Sequence, residues 1–177
     1  MSAPAAVEPA VSLSEAQAYV RIETGEEEAV LAGLLRTATA IGESFMNQVI
    51  VERDFVLDLP ASTQWQQVAV SPVRSIGKVE AVDSTGVAAV LPASAFAVDV
   101  DASGGGWVRL TAHSDARRIR VSGRAGLAID QNGVPEPIRQ GVLRLVAHLF
   151  AARDGGGEAP PAAVTALWRP YRSMRLA

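Results

Sequence analysis

The sequence predicts an α+β fold: a helical bundle, in which N-terminal helices pack on C-terminal helices, with an inserted small antiparallel β subdomain. Two observations lead to this prediction. Apolar residues recur at helical spacing near both ends of the chain, whereas the middle alternates polar and apolar residues as strands do. At 177 residues, the chain is long enough to bury a core shared by the two helical parts.

Composition excludes several classes of protein. No run of about eighteen apolar residues is present, so no transmembrane helix is predicted. The start lacks the layout of a signal peptide, and we expect a cytoplasmic product. The absence of cysteine excludes disulfides, thiol catalysis and cysteine-ligated metal sites. With His113 and His148 as the only histidines, a histidine-rich metal site is excluded as well, and no cofactor is expected.

Charge is distributed unevenly along the chain. The net charge is −3, yet residues 1–60 carry −7 and residues 111–177 carry +5. This asymmetry suits head-to-tail contact between copies or different partners at the two ends. The alternative is that the charges average out over the folded surface.

The N-terminal part predicts two helices. Residues 1–11 are rich in alanine and proline and are predicted to form a flexible arm. Residues 12–50 contain the helices, the first opened by a capping box in which Ser12 caps the first turn and Glu15 reaches back. Glu26–Glu28 open the second helix, because acidic side chains favour the positive end of the helix dipole. Its apolar residues cover one half of the helical wheel from Val30 to Val49.

The period changes from helical to alternating over residues 51–124. Phe55, Leu57 and Leu59 fall on one face of a strand that Pro60 ends. Turn-forming prolines and glycines separate further predicted strands, which are Gln66–Val70, Gly77–Asp83, Val87–Leu91, Phe96–Val100, Trp107–Thr111 and Arg117–Ser122. The block is predicted to be a small antiparallel sheet or barrel, followed by a loop over residues 125–134.

Residues 135–153 predict the core helix that completes the bundle. Pro137 suits the first turn, and the apolar residues after it form one stripe that we expect to pack on Val30–Met46. Gly155–Gly157 end this helix as a hinge. Residues 158–177 predict a short helix and a basic, aromatic tail.

No catalytic arrangement emerges from the residues. Gly104–Gly106 lack the Gly-Lys-Ser/Thr of a phosphate loop and predict a β-turn instead. No serine lies in a Gly-x-Ser-x-Gly elbow. His148 lies at the edge of the apolar stripe, where packing or an interface is the commoner role. The chain is therefore predicted not to be an enzyme, and a small enzyme using His148 is the weaker alternative.

Two charged clusters are candidates for contact between subunits. The first is the acidic helix start, where cation binding is the alternative to a solvated turn. The second alternates arginine with an apolar residue as an edge strand does; nucleic-acid contact is its alternative, although aromatic residues for stacking are absent from it. The predicted contact residues are Glu26, Glu27, Glu28, Arg117, Arg118 and Arg120.

Several segments, taken in order, resemble one protein family. They are Ser12–Ile22, the acidic turn with the long helix ending in Phe45, Ser71–Ile76 followed by Val79–Gly86, Val134–Gly141 with Val146–Phe150, and Leu167–Arg172. Their order and spacing resemble the head–tail connector, or adaptor, proteins of tailed phages. The same type of protein occurs in gene transfer agents, which are phage-like particles encoded in bacterial genomes, and in prophages.

The resemblance implies a structural protein of the particle. Such a subunit would form a ring, commonly of twelve copies, beneath the portal and join the DNA-filled head to the tail. Double-stranded DNA would pass through the lumen without sequence-specific binding. The alternative is that the chain is itself a stopper or tail-terminator ring protein. If the chain is the adaptor, a stopper or tail-terminator protein is one of its expected partners, together with the portal protein. The family's C-terminal segment commonly grips the portal, and the matching docking residues are Trp168, Arg169, Tyr171, Arg172, Met174 and Arg175.

Overall fold

A computed structural model describes residues 7–21, 27–152 and 159–173 of the chain. Within these ranges the fold is α+β, with four α-helices and two antiparallel sheets. The helices are α1 (Leu13–Val20), α2 (Glu28–Met46), α3 (Glu136–Ala151) and α4 (Ala162–Trp168). The strands are β1 (Arg53–Pro60), β2 (Gln66–Gln67), β3 (Val73–Val82), β4 (Ala88–Val90), β5 (Phe96–Val100), β6 (Gly106–Leu110) and β7 (Arg118–Ala125).

The chain divides into two compact units. Residues Glu52–Gly126 form the β unit, and the described residues up to Val51 and from Leu127 onward form the helical unit. The β unit is thus inserted in sequence between α2 and α3. Among the described helices, none is long and apolar enough to cross a membrane.

All four helices contribute side chains to one hydrophobic core. Helix α2 packs on α3, as the two apolar stripes predict, and α4 packs on α3. The buried residues of these helices include Ala16, Leu31, Leu35, Ala38, Met46, Ile138, Val142, Leu145, Val146, Val164 and Trp168. Packing of the helices against one another therefore removes their apolar faces from water.

The predicted flexible arm is wrong for its last two residues. Ala10 and Val11 are fully buried in the helical core. The Ala10 N–H donates to Oγ1 of Thr39 at 3.3 Å, and that hydroxyl donates to the carbonyl of Leu35 at 2.8 Å. Alanine content suggested an arm, but a buried alanine costs no side-chain entropy and fits against α2. Residues 1–6 of the predicted arm lie outside the described residues.

Helix α1 begins at the predicted cap, with one difference. Ser12 Oγ accepts from the N–H of Glu15 at 3.2 Å, as in a capping box. The Glu15 carboxylate does not complete the box; it accepts from Nη2 of Arg139 at 2.6 Å. The same guanidinium donates through Nη1 to the carbonyl of Gln131 at 2.6 Å. Arg139 therefore ties α1 and the segment before α3 together.

The β unit contains two sheets instead of the predicted single sheet or barrel. The four-stranded sheet has the order β1-β7-β3-β4, and the three-stranded sheet has the order β2-β6-β5, with antiparallel pairs throughout. Both sheets contribute to one core, which includes Val68, Val73, Val79, Val108, Leu110, Ile119 and Val121. Two layers bury the apolar faces of strands this short better than one open sheet does.

The predicted loop over residues 125–134 is partly ordered by backbone pairing. Strand β7 extends through Ala125, and the N–H groups of Leu127 and Ala128 donate to the carbonyls of Val49 and Ile50, each at 2.9 Å. Asp130 then caps a short 3₁₀ turn by accepting from the N–H groups of Asn132 and Gly133. The sequence analysis did not predict the pairing of Leu127 and Ala128, because Val49 and Ile50 lie far away in sequence.

Candidate functional site

Trp168 is the predicted docking residue whose position differs most from expectation. Its side chain is fully buried, with its ring against Gly42 and Gly141. The indole N–H donates to the carbonyl of Ile138 at 3.3 Å. A Cβ at Gly141 would overlap the indole nitrogen, so the glycine in α3 makes room for the ring. A side chain with no exposed surface offers nothing to a partner, so its docking role is replaced by an anchoring role.

The residues after Trp168 are fixed to the end of α2. The carbonyl of Tyr171 accepts from Nε2 of Gln48 at 2.9 Å, and the N–H of Ser173 donates to the carbonyl of Met46 at 2.9 Å. The Arg172 guanidinium lies 5.8 Å from the centroid of the Phe45 ring, a cation–π distance. The chain up to Ser173 therefore has a defined path.

This path determines which predicted docking residues are available. Arg169 and Arg172 are exposed, and Tyr171 is half-buried. Met174, Arg175 and the predicted hinge Gly155–Gly157 lie outside the described residues. The two exposed residues among those predicted to dock, Arg169 and Arg172, are thus both basic.

Two of the predicted contact arginines are paired within the β unit. Arg120 faces Asp58 across β7 and β1, with Nε to Oδ1 at 2.8 Å and Nη2 to Oδ2 at 3.2 Å. Nη1 of Arg118 lies 3.6 Å from the same carboxylate. The hydrogen bond from Arg120 lowers the pKa of Asp58 and raises that of Arg120. Both arginines therefore already have an acidic partner in their own chain.

The other predicted contact residues are placed differently. Arg117 is exposed, and within the described ranges its guanidinium has no ion-pair partner. Glu27 is the N-cap residue of α2 and Glu28 its first residue, both exposed, while Glu26 lies outside the described residues. The acids belong to the helical unit and the arginines to the β unit.

The hairpin loop between β5 and β6 contains Gly104 and Gly105, as predicted for the turn, whereas Gly106 is the first residue of β6. Oδ1 of Asp101 accepts from the Ser103 hydroxyl at 2.6 Å and from the N–H of Gly105 at 2.9 Å. Gly104 has a φ of 81°, which favours glycine. These donors, with the indole of Trp107, lower the pKa of Asp101 to about 2. The aspartate is thus a structural carboxylate of the turn.

We expect the Asp101 carboxyl to titrate in the folded protein at about 2, measured by side-chain NMR. Because this pKa lies below the unfolded value of about 3.9, the turn contributes stability above that value and loses it as pH falls through the folded pKa. Ser103→Ala should raise the midpoint, since the hydroxyl is the largest cause of the shift. Thr85→Ala, which removes the matching donor to Asp83 at 2.7 Å, is the control and should leave Asp101 unchanged. An unshifted midpoint in Ser103→Ala would contradict this account.

A surface pocket of about 720 Å³ lies in the β unit. It is lined by the β3–β4 hairpin and the segment before β7, through Ala81, Asp83, Val87, Asp115 and Arg117 among others. Hydrogen bonds from Thr85 and Val87 lower the pKa of Asp83, which serves the hairpin turn. His148 lies at the end of α3, in the other unit.

The sequence analysis missed one aromatic and cationic surface in the β unit. The guanidinium of Arg109 lies 4.9 Å from the centroid of the Trp65 ring. Arg109 and Trp107 alternate along β6 and so share one face of the three-stranded sheet. The alternation of residues along β6 could have predicted that Trp107 and Arg109 share a face. The contact between Trp65 and Arg109 could not be predicted, because Trp65 lies in a loop far from Arg109 in sequence.

Solved structures provide the comparison with known proteins. A chain in the neck of an empty GTA particle, computed with C6 symmetry, matches at a TM-score of 0.77 and 25% identity, covering 95% of this chain and 92% of that one. A chain in the virion of a native gene transfer agent particle matches at 0.75 and 24%, covering 100% and 95%. A chain in the neck of the native particle, computed with C12 symmetry, matches at 0.74 and 23%, covering 95% and 91%.

No protein-family model matches the chain, and no curated protein matches it. The structural matches nevertheless cover the helical unit and the β unit together. The resemblance to connector-type proteins of phage-like particles, noted in the sequence, is confirmed at the level of the fold.

Proposed function

We propose that this chain is a structural head–tail adaptor subunit of a gene transfer agent or related phage-like particle. The observation that carries the proposal is the match to a neck chain over 95% of this chain at 25% identity. A fold alone does not specify a function, but here the likeness spans both units and agrees with the order of segments noted in the sequence. The role is structural and not enzymatic.

Copies of the chain form a ring between the portal and the tail, with the helices arranged as a bundle around it. The C6 and C12 symmetries used for the matching neck structures support a ring, for which we propose twelve copies. DNA passes through the centre without sequence-specific binding, and a stopper or tail-terminator protein continues the channel on the tail side. Arg117, Glu27 and Glu28 remain exposed for contact between subunits, whereas Arg118 and Arg120 serve the β unit.

The C-terminal segment docks on the portal. Trp168 anchors the segment in the helical core, and Arg169 and Arg172 present positive charge on its exposed side. Tyr171 is held between them by its backbone contact with Gln48. Docking through a basic surface requires an acidic surface on the portal, because opposite charges orient the two partners.

Deletion of the gene in the organism that produces the particle tests the proposal. We expect DNA-filled heads without tails, seen by electron microscopy, and restored tails when the intact gene is supplied in trans. A tag on the chain should lie at the neck, directly beneath the portal. Tag density further down the neck would assign the chain to the stopper or tail-terminator position instead.

His148→Ala distinguishes the structural role from the enzymatic alternative. The variant is expected to restore tails as well as the intact gene does, because His148 is assigned no chemistry. Normal particle assembly accompanied by loss of a catalytic turnover in His148→Ala would contradict the structural role.

A further inference from the structure

We propose that Phe45 and Gln48, at the end of α2, are positioning residues for docking, and that they make Arg172 the main contact with the portal. The inference rests on the proposed function and deepens it, because it makes the two exposed arginines of the C-terminal segment unequal. Arg172 binds the partner directly, whereas Arg169 contributes attraction at longer range. All four residues lie in the helical unit, so one compact part of the molecule contains the whole arrangement.

The backbone around Arg172 is fixed on both sides. Before it, the carbonyl of Tyr171 accepts from Nε2 of Gln48 at 2.9 Å. After it, the N–H of Ser173 donates to the carbonyl of Met46 at 2.9 Å. The N–H of Arg172 itself donates at 3.2 Å to the first residue of the same 3₁₀ turn. Of these hydrogen bonds, only the one from Gln48 uses a side chain, so a substitution there can loosen the segment without changing it.

The side chain of Arg172 is held by the Phe45 ring. Its guanidinium lies 5.8 Å from the centroid of that ring, where a cation and an aromatic face attract each other. The Phe45 ring in turn packs on Trp168, with the two centroids 6.0 Å apart and the rings tilted by 48°. Because Trp168 is fully buried, a chain of contacts runs from the helical core through Phe45 to an exposed guanidinium.

Arg169 is exposed on the same segment but is not held in this way. Among the described residues, its guanidinium has no hydrogen-bond, ion-pair or ring partner. Arg172 has no carboxylate at ion-pair distance within these ranges either, so its charge is available to a partner. A side chain that is already restricted loses less entropy on binding than a free one, and arginine is enriched among the residues that dominate interfaces. A carboxylate of the portal should therefore be bound mainly by Arg172.

Binding of the full chain to the purified portal protein of the same particle tests the inference. Arg172→Ala should raise the Kd on the order of tenfold, because it removes the held guanidinium. Arg169→Ala is the matched control, since it removes the same charge from the same segment. It should raise the Kd only about twofold, as expected for an exposed charge that nothing holds. Equal losses in the two variants would contradict the unequal roles.

Phe45→Leu and Gln48→Met test positioning, because both residues act through the segment. Each should raise the Kd about threefold, since one removes the ring and the other the side-chain donor. In a chain that already carries Arg172→Ala, Phe45→Leu should have no further effect, because no guanidinium is left for the ring to hold. In a chain that carries Arg169→Ala, its full effect should persist.

Other results would overturn the inference. The same loss from Phe45→Leu in both backgrounds would mean that the ring serves the stability of the helical unit instead of Arg172. Binding is measured well below the midpoint of thermal unfolding of each variant, so that unfolded chain does not contribute to the loss. Failure of the intact chain to bind the portal protein would contradict the proposed docking itself, so this failure is distinguishable from that of the positioning roles.

Discussion

Replacing Trp168 with alanine is expected to lower the free energy of unfolding of the helical unit by about 3–5 kcal/mol. The side chain is fully buried between α2 and α3, so its removal leaves a cavity in the core that joins them to α4. The backbone carbonyl of Ile138 also loses its indole donor. Denaturant unfolding followed by far-UV circular dichroism measures the loss, because the helical signal reports mainly on this unit.

Trp65→Ala is the matched control for this prediction. Trp65 is 44% exposed, so its removal should change stability by less than about 1 kcal/mol. Gly141→Ala tests the same packing from the other side, since the added methyl group would meet the Trp168 ring. We expect it to destabilise the unit by about 1–3 kcal/mol. Equal effects of the two tryptophan substitutions would contradict the anchoring role of Trp168.

Reversing the charge of both Arg169 and Arg172 to glutamate is expected to reduce the number of tailed particles on the order of 100-fold. In the proposed function these residues face an acidic surface of the portal, and like charges across an interface cost several kcal/mol. Tailed particles are counted by electron microscopy in the deletion strain that carries the variant gene. Thermal unfolding of the purified variant should change only slightly, since both side chains are exposed and the lost contact of Arg172 with Phe45 contributes about 0.5–1 kcal/mol.

Arg36→Glu with Arg144→Glu is the matched control. Both arginines are exposed in the helical unit, and the substitutions change the net charge by the same amount. The control should assemble tails normally if docking depends on the C-terminal segment. Loss of tails in both double variants would indicate a general effect of charge. Truncation at Trp168 is unsuitable as a test, because it removes a core residue together with the docking surface.

Local patterns in the sequence were sufficient for most of the secondary structure. Helical spacing predicted α2 and α3 and their contact, and the Ser12 cap predicted the start of α1. Each predicted strand overlaps an observed strand, although β2 ends at Gln67 instead of Val70 and β3 begins at Val73 instead of Gly77. The prediction of a single sheet or barrel was wrong, because pairing between strands depends on residues far apart in the chain.

The candidate surfaces were less predictable than the elements. Arg120 was predicted to contact another subunit, but the register of β1 and β7 places it opposite Asp58. Ala10 and Val11 were assigned to an arm, but Thr39 and the helical core hold them. In each case the sequence showed the chemical character of the residue, but it could not show which distant residue contacts it.

The sequence by itself determined the order of the elements, the apolar faces of the helices and the resemblance to connector proteins, since these depend on spacing along the chain. The tertiary structure alone decided that Trp168 anchors α4 while Trp65 remains exposed beside Arg109. Trp168 ends the largely apolar helix α4 and Trp65 lies between polar residues, but this local difference does not identify the residues that cover either ring. Burial depends on which distant residues close over a side chain, and for Trp168 those residues are two glycines on separate helices, Gly42 and Gly141.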